Sequence, residues 1–124
     1  MLMNDFYTVT DLVQDGNTVT GKILFNQQHE IFKGHFPGQP VVPGVCTMQL
    51  VKEIVAQQTG TSLTIRNTGQ VKFLQLILPE VTPVFTISWK ITGNELMVDA
   101  TLKNDQAAIF KMTAELEAAK QQFG

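Results

Sequence analysis

Apolar and polar residues alternate with a period of two over most of this chain, and a single stretch breaks that rhythm. Segments 6–13 and 18–25 are rich in β-branched residues and flank Asp15-Gly16-Asn17, where glycine and asparagine tolerate the positive φ of a tight turn. They predict a hairpin. From 26 to 42 the chain is polar and rich in Gly and Pro; about 17 residues is long for a loop in a compact domain, and such loops usually serve function. Pro43 then suits the first position of a helix, where its missing N–H is no loss, and Gly60 suits the stop. The helix between them, 45–58, carries Val45, Cys46, Met48, Leu50, Val51, Ile54, Val55 and Ala56 around most of its circumference. Such a helix is buried on several sides.

Segments 63–78, 84–92, 95–103 and 106–116 return to the strand period, punctuated by Pro79, Pro83, Gly93-Asn94 and Asn104-Asp105. The last is contested, because 107–122 has the Ala, Glu, Lys and Met content of a helix. Alternation of Ala108, Phe110, Met112, Ala114 and Leu116 decides for a strand, frayed after Glu117. Short connections make the sheet antiparallel, and the whole predicts an α+β fold in which a sheet wraps a long central helix. At 124 residues and 44% hydrophobic, the chain is expected to form one domain, 1–124, with a core that needs neither disulfide nor metal.

A formal charge of −2 with nine scattered basic residues gives no electrostatic case for nucleic acid or a polybasic membrane contact. The lone Cys46 excludes a disulfide framework within one chain and fits a reducing compartment. Residues 1–9 lack the basic and apolar regions of a signal peptide, and no run approaches the roughly 18 apolar residues of a membrane span. A soluble cytoplasmic protein without a cofactor is expected.

Candidate chemistry centres on His35, set between Gly34 and Phe36-Pro37-Gly38. Proline stiffens that turn, and a reactive group held in place before substrate arrives is what catalysis requires. Imidazole exchanges protons near neutral pH, so His35 is a candidate general base. Nine residues on, Gly44 stands at the predicted helix N-terminus, where an unsatisfied backbone N–H and the positive end of the helix dipole can polarise a carbonyl oxygen.

Over residues 32–45 the chain resembles the FabZ/FabA-type 3-hydroxyacyl-acyl carrier protein dehydratases. The family pattern F-x-G-H-F-P-G-x-P-x-x-P-G-V is met without a gap by Phe32, Gly34, His35, Phe36, Pro37, Gly38, Pro40, Pro43, Gly44 and Val45. Val71-Lys72-Phe73 before Pro79 resembles the family's third strand, and the element order matches along the whole chain. The resemblance implies a hotdog fold assembled as a homodimer or higher homo-oligomer, with acyl tunnels at the dimer interface. It implies that His35 removes the C2 proton of a 3-hydroxyacyl thioester carried on acyl carrier protein, that Gly44 N–H holds the thioester oxygen, and that Phe36 and Val45 contribute to the substrate site. Fourteen residues after the histidine the family places a carboxylic acid, contributed across the dimer to protonate the leaving hydroxyl. This chain has Gln49. An amide orients a hydroxyl or a water but has no proton to give near neutral pH. Glu53, four residues on, is the candidate substitute acid, although one helical turn displaces it by about 5–6 Å, and a paired structural role is the plainer expectation.

Other residues admit both functional and ordinary roles. His29 is expected to brace the loop. With Glu30 and His35 it lacks the i, i+4 spacing of zinc ligands, so no metal is expected. Cys46, in the first helical turn among apolar neighbours, reads as a small hydrophobe. Met48, Phe73, Leu74 and Trp89 are tunnel candidates that core packing would equally explain, and Lys33, Arg66 and Lys72 are candidate contacts for an acidic carrier that surface solvation would also explain. The leading function is a dehydratase or hydratase of 3-hydroxyacyl thioesters in acyl-chain biosynthesis. Thioester hydrolysis and an acyl-binding or heteromeric subunit, whose partner supplies the acid, stay open beside it.

Overall fold

The computed structural model describes residues 1–33 and 39–118. Its elements follow the hydrophobic pattern: β1 (Tyr7–Asp15), β2 (Thr18–Phe25), a 3₁₀ turn (Glu30–Lys33), α1 (Gly44–Thr59), β3 (Leu63–Phe73), β4 (Val84–Thr92), β5 (Glu95–Lys103) and β6 (Ala108–Ala118). The strands form one antiparallel sheet in the order β1-β2-β4-β5-β6-β3, with β1 and β3 at its edges. This is the predicted hotdog architecture.

Period-two alternation aims one face of the sheet inward. Leu96, Val98, Ala100 and Leu102 of β5 and Phe110, Met112, Ala114 and Leu116 of β6 join Leu50, Val51, Ile54 and Val55 of α1 in one core. Phe6 closes one end, stacked on Phe32 at 5.1 Å and edge-on to Phe25 at 5.7 Å. No helix among the described residues is long and apolar enough to cross a membrane.

Several boundaries differ from the sequence expectation. β3 ends at Phe73 instead of 78, because the N–H groups of Leu74 and Gln75 both turn to the Ile109 carbonyl and the chain leaves the sheet edge. The alternating Leu74, Leu76 and Leu78 that suggested a longer strand therefore lie in a loop, which Val42 N–H secures by donating to the Ile77 carbonyl at 2.7 Å. The long polar loop contains the 3₁₀ turn. In β1, Asp11 takes a φ of 53° and the register slips between Thr10 and Val13. This bulge bends an edge that would otherwise offer unpaired backbone groups to another chain. The fraying expected beyond Glu117 falls largely outside the described residues, since β6 runs to Ala118.

Candidate active site

The site begins where the loop enters α1. Pro43 is not the first helical residue, as its position suggested, but the N-cap: its ψ of 141° is extended, and its carbonyl accepts from Cys46 N–H at 3.0 Å and Thr47 N–H at 3.3 Å. Gly44 thus opens the helix without a side-chain cap, and the N–H groups of Gly44 and Val45 lie at the positive end of the dipole with no intrahelical acceptor. The Phe73 ring packs directly over Gly44. A Cβ there would meet ring carbons at 2.8 and 2.9 Å, so glycine gives the ring its seat. Val45 is 74% exposed and Phe73 54%, and Leu74 and Leu76 are exposed as well. Phe73 and Leu74 are therefore not core residues, whereas Trp89 is. His35 and Phe36, the predicted base and its neighbour, lie outside the described residues.

One turn into the helix, Gln49 and Glu53 form a single hydrogen-bonded unit. Spacing of i, i+4 puts both on one helical stripe, and Gln49 Nε2 donates to Glu53 Oε2 at 2.8 Å. Glu53 is only 4% exposed. Its carboxylate also accepts from Leu2 N–H at 2.8 Å, Met3 N–H at 2.8 Å and the Tyr7 hydroxyl at 3.1 Å. Burial by itself pushes the Glu53 carboxyl up, but the donors from Leu2, Gln49, Met3 and Tyr7 outweigh it and hold the group below its ordinary value. Burial, followed by the charge of Glu53, drives the Tyr7 hydroxyl far upward, so it stays a proton donor. The unit is a buried anion saturated with donors.

Gln49 and Glu53 both line two clefts along this stripe. One, of about 320 Å³, is bounded by Met1, Leu2, Val45 and Cys46; the other, of about 400 Å³, continues past Lys52 and Ala56 to Leu63. Such volumes fall within the range of small-molecule sites. Sequence inspection missed Tyr7 and the backbone of Leu2 and Met3, because no local pattern announces that an N-terminal segment will fold back onto a helical glutamate fifty residues on. The helical spacing of Gln49 and Glu53 was the only available signal.

Among the remaining candidates, Cys46 borders the smaller cleft beside Gln49, and the others lie away from this stripe. His29 braces the loop: its Nδ1 accepts from Ile31 N–H at 3.1 Å, which leaves Nε2–H to meet Asp5 Oδ2 at 3.1 Å, and its ring stands edge-on to Phe6. Cys46 is half-buried and free, and burial raises its thiol, which disfavours the thiolate. Arg66 is engaged by Glu95 across the sheet surface, while Lys33 and Lys72 are exposed.

Against this geometry, a family model described as the ApeI dehydratase, ApeI-like, matches residues 11–119. A FabZ 3-hydroxyacyl-[acyl-carrier-protein] dehydratase from Fusobacterium nucleatum is 30% identical over 69 residues, which make up 56% of this chain and 46% of that protein. The match thus spans less than half the length of that relative. Among solved structures, the dehydratase heterocomplex ApeI:P from Xenorhabdus doucetiae superposes with a TM-score of 0.75 at 21% identity, covering 90% of this chain and 97% of the other. A hypothetical thioesterase with coenzyme A from Streptococcus pneumoniae gives 0.69 at 13% identity, over 97% and 94%. These superpositions share the hotdog fold.

Proposed function

Because the chain belongs to the ApeI-like dehydratase family, we propose that it is a dehydratase or hydratase of 3-hydroxyacyl thioesters presented on acyl carrier protein, acting in acyl-chain biosynthesis in the cytoplasm. The observation that carries this reading is the entry to α1: an uncapped helix N-terminus at Gly44, floored by Phe73 and fed directly by the gapless histidine motif. In this scheme His35 takes the C2 proton, the Gly44 N–H stabilises the negative charge that develops on the thioester oxygen, and Phe36 and Val45 border the acyl chain. Elimination then breaks the C3–O bond, and the hydroxyl that Gln49 orients departs as water by taking the C2 proton back from His35. Glu53, held ionised by its donors, has no proton to give and does not replace the missing acid. The single hotdog domain pairs with a second copy through the apolar surface around Val45, Phe73, Leu74 and Leu76.

A second reading is favoured by the absence, among the described residues, of an available acid beside Gln49: the chain serves as one subunit of a mixed dimer whose partner contributes the acid, and the ApeI:P dehydratase whose fold it shares is itself a heterocomplex. Turnover of a 3-hydroxyacyl and 2-enoyl thioester series by the purified chain, followed as enoyl absorbance with His35→Ala as control, separates the two. Histidine-dependent turnover by the chain alone supports the first. A folded, inactive chain refutes it and favours the partner-dependent form. Release of free thiol without enoyl interconversion would instead make the protein a thioesterase.

A further inference from the structure

We propose that residues 1–4 form a strap that sets the length of acyl chain the site accepts: clamped onto Glu53, the strap walls off the cleft beside Gln49 from a second, apolar cavity between β1 and α1 that would otherwise extend it. This rests on the acyl-thioester reading above and adds a chain-length determinant to it.

Ahead of β1 the chain reverses through Asn4, whose φ of 67° is left-handed and whose N–H donates to the Tyr7 carbonyl at 2.6 Å, while the Leu2 carbonyl accepts from Phe6 N–H at 2.7 Å. That reversal lays Leu2 and Met3 against α1, where both backbone N–H groups donate to the Glu53 carboxylate at 2.8 Å. Bonds to an ionised acceptor are the strong ones, and this carboxylate is buried. The wall so formed is one residue thick. Leu2 and Glu53 border the 320 Å³ cleft that Val45 and Gln49 also line. Met3 and Ile54, the next residue along each segment, border a cavity of about 190 Å³ whose other apolar sides are Val9 and Leu12, where β1 bulges at Asp11. An acyl chain entering past Val45 and Gln49 therefore runs against Leu2, with unfilled apolar space behind it. An apolar cavity of about 150 Å³ takes up a benzene molecule, so the space behind the wall holds about six further carbons.

The length dependence of binding tests the wall. In a homologous series of non-hydrolysable acyl thioether analogues, affinity for the wild type should rise about fourfold per buried methylene up to a limit and then stop rising. Two variants detach the strap from opposite ends. Glu53→Gln sets an amide N–H₂ against one of the strap's N–H groups, and Asn4→Pro can neither take a φ of 67° nor donate to Tyr7. In each, the Leu2 and Met3 amides should change from slow to fast hydrogen exchange, and the limit should lengthen by about six carbons. Adding Leu12→Trp, which fills the cavity from its half-exposed side, should return the limit to the wild-type value. Fast exchange of both amides in the wild type would overturn the clamp. An unchanged limit in a folded variant whose two amides exchange fast would overturn the wall and leave the acyl-thioester reading intact, as would a lengthened limit that Leu12→Trp does not reverse. In the otherwise unaltered protein, Leu12→Trp should leave the limit where it is. A shortened limit there would mean that the chain already occupies the cavity, which overturns the wall whether or not the strap variants fold. If no analogue of any length binds the wild type, the acyl-thioester reading falls and the length limit with it.

Discussion

Replacing Gln49 with glutamate restores the carboxyl that the family pattern calls for, but the structure makes the outcome depend on Glu53. The amide nitrogen lies 2.8 Å from Glu53 Oε2, and in Gln49→Glu a second carboxyl oxygen takes its place. Two carboxylates with charge centres roughly 4 Å apart repel by about 4 kcal/mol at an effective dielectric of about 20, which corresponds to about three pKa units. Glu53 retains three donors, from Leu2, Met3 and Tyr7, so the shared proton resides on the new side chain. A carboxyl ordinarily titrating near 4.3 would then titrate at about 7, which leaves it protonated often enough to act as a general acid at neutral pH.

General acid catalysis contributes about 10²–10⁴-fold, and the expected gain in dehydration rate for Gln49→Glu is at least the lower of these. Enoyl absorbance across a pH series is the assay. The rate should be high below about pH 7 and fall above it, and adding Glu53→Gln should shift that fall toward the ordinary carboxylate range, since the repelling charge is gone. Stability carries the same sign. A carboxyl whose folded pKa is raised contributes fully below its unfolded value and loses that contribution as pH rises through the folded value. The variant should therefore be destabilised on the alkaline side relative to wild type. A folded variant with no rate gain, or a pH limb indifferent to Glu53→Gln, would refute the reasoning.

Other outcomes follow from the same contacts. The depressed Glu53 carboxyl contributes stability that is present above its unfolded value and lost as pH falls through its lower folded value. Thermal midpoints of the wild type should accordingly drop on acidification below the usual glutamate range, and Glu53→Gln should flatten that slope. Tyr7→Phe removes one donor to a buried charge and should cost about 1.5–3 kcal/mol in denaturant titrations. For Gly44→Ala, the new Cβ meets the outer edge of the half-exposed Phe73 ring, which can swing aside, and alanine's helix propensity offsets up to about 1 kcal/mol of that strain. Stability should change by less than about 1 kcal/mol while thioester turnover falls, because the displaced ring crowds the Gly44 N–H. Finally, sedimentation should give a dimeric mass at micromolar concentration; a monomer would leave Val45, Phe73 and Leu76 without the cover proposed for them.

The sheet was legible because period-two alternation and turn chemistry are local: Val84–Thr92 and Glu95–Lys103 begin and end where Pro83, Gly93-Asn94 and Asn104-Asp105 say they should. Gly60 was legible as the helix stop for the same reason, and takes the left-handed φ of 68° that favours glycine. Leu74, Leu76 and Leu78 misled because alternation records which side chains can share a face, not whether a neighbouring strand is present to pair. The chemistry of the helix was less legible still. From sequence, Gln49 and Glu53 are an amide and an acid one turn apart, and the acid is a candidate for proton transfer for which a paired structural role is the plainer expectation. In the fold, however, Leu2 and Met3 bring two backbone N–H groups and Tyr7 a hydroxyl to that acid, from a segment whose position depends on the β1–β2 hairpin and the Phe6 cluster. Backbone donors have no residue type to betray them. Their number nonetheless decides the protonation state of Glu53, and that state decides that Gln49 meets it with its amide nitrogen. The residue that looked like a substitute acid is thereby converted into the fixed charge against which any acid placed at position 49 must titrate.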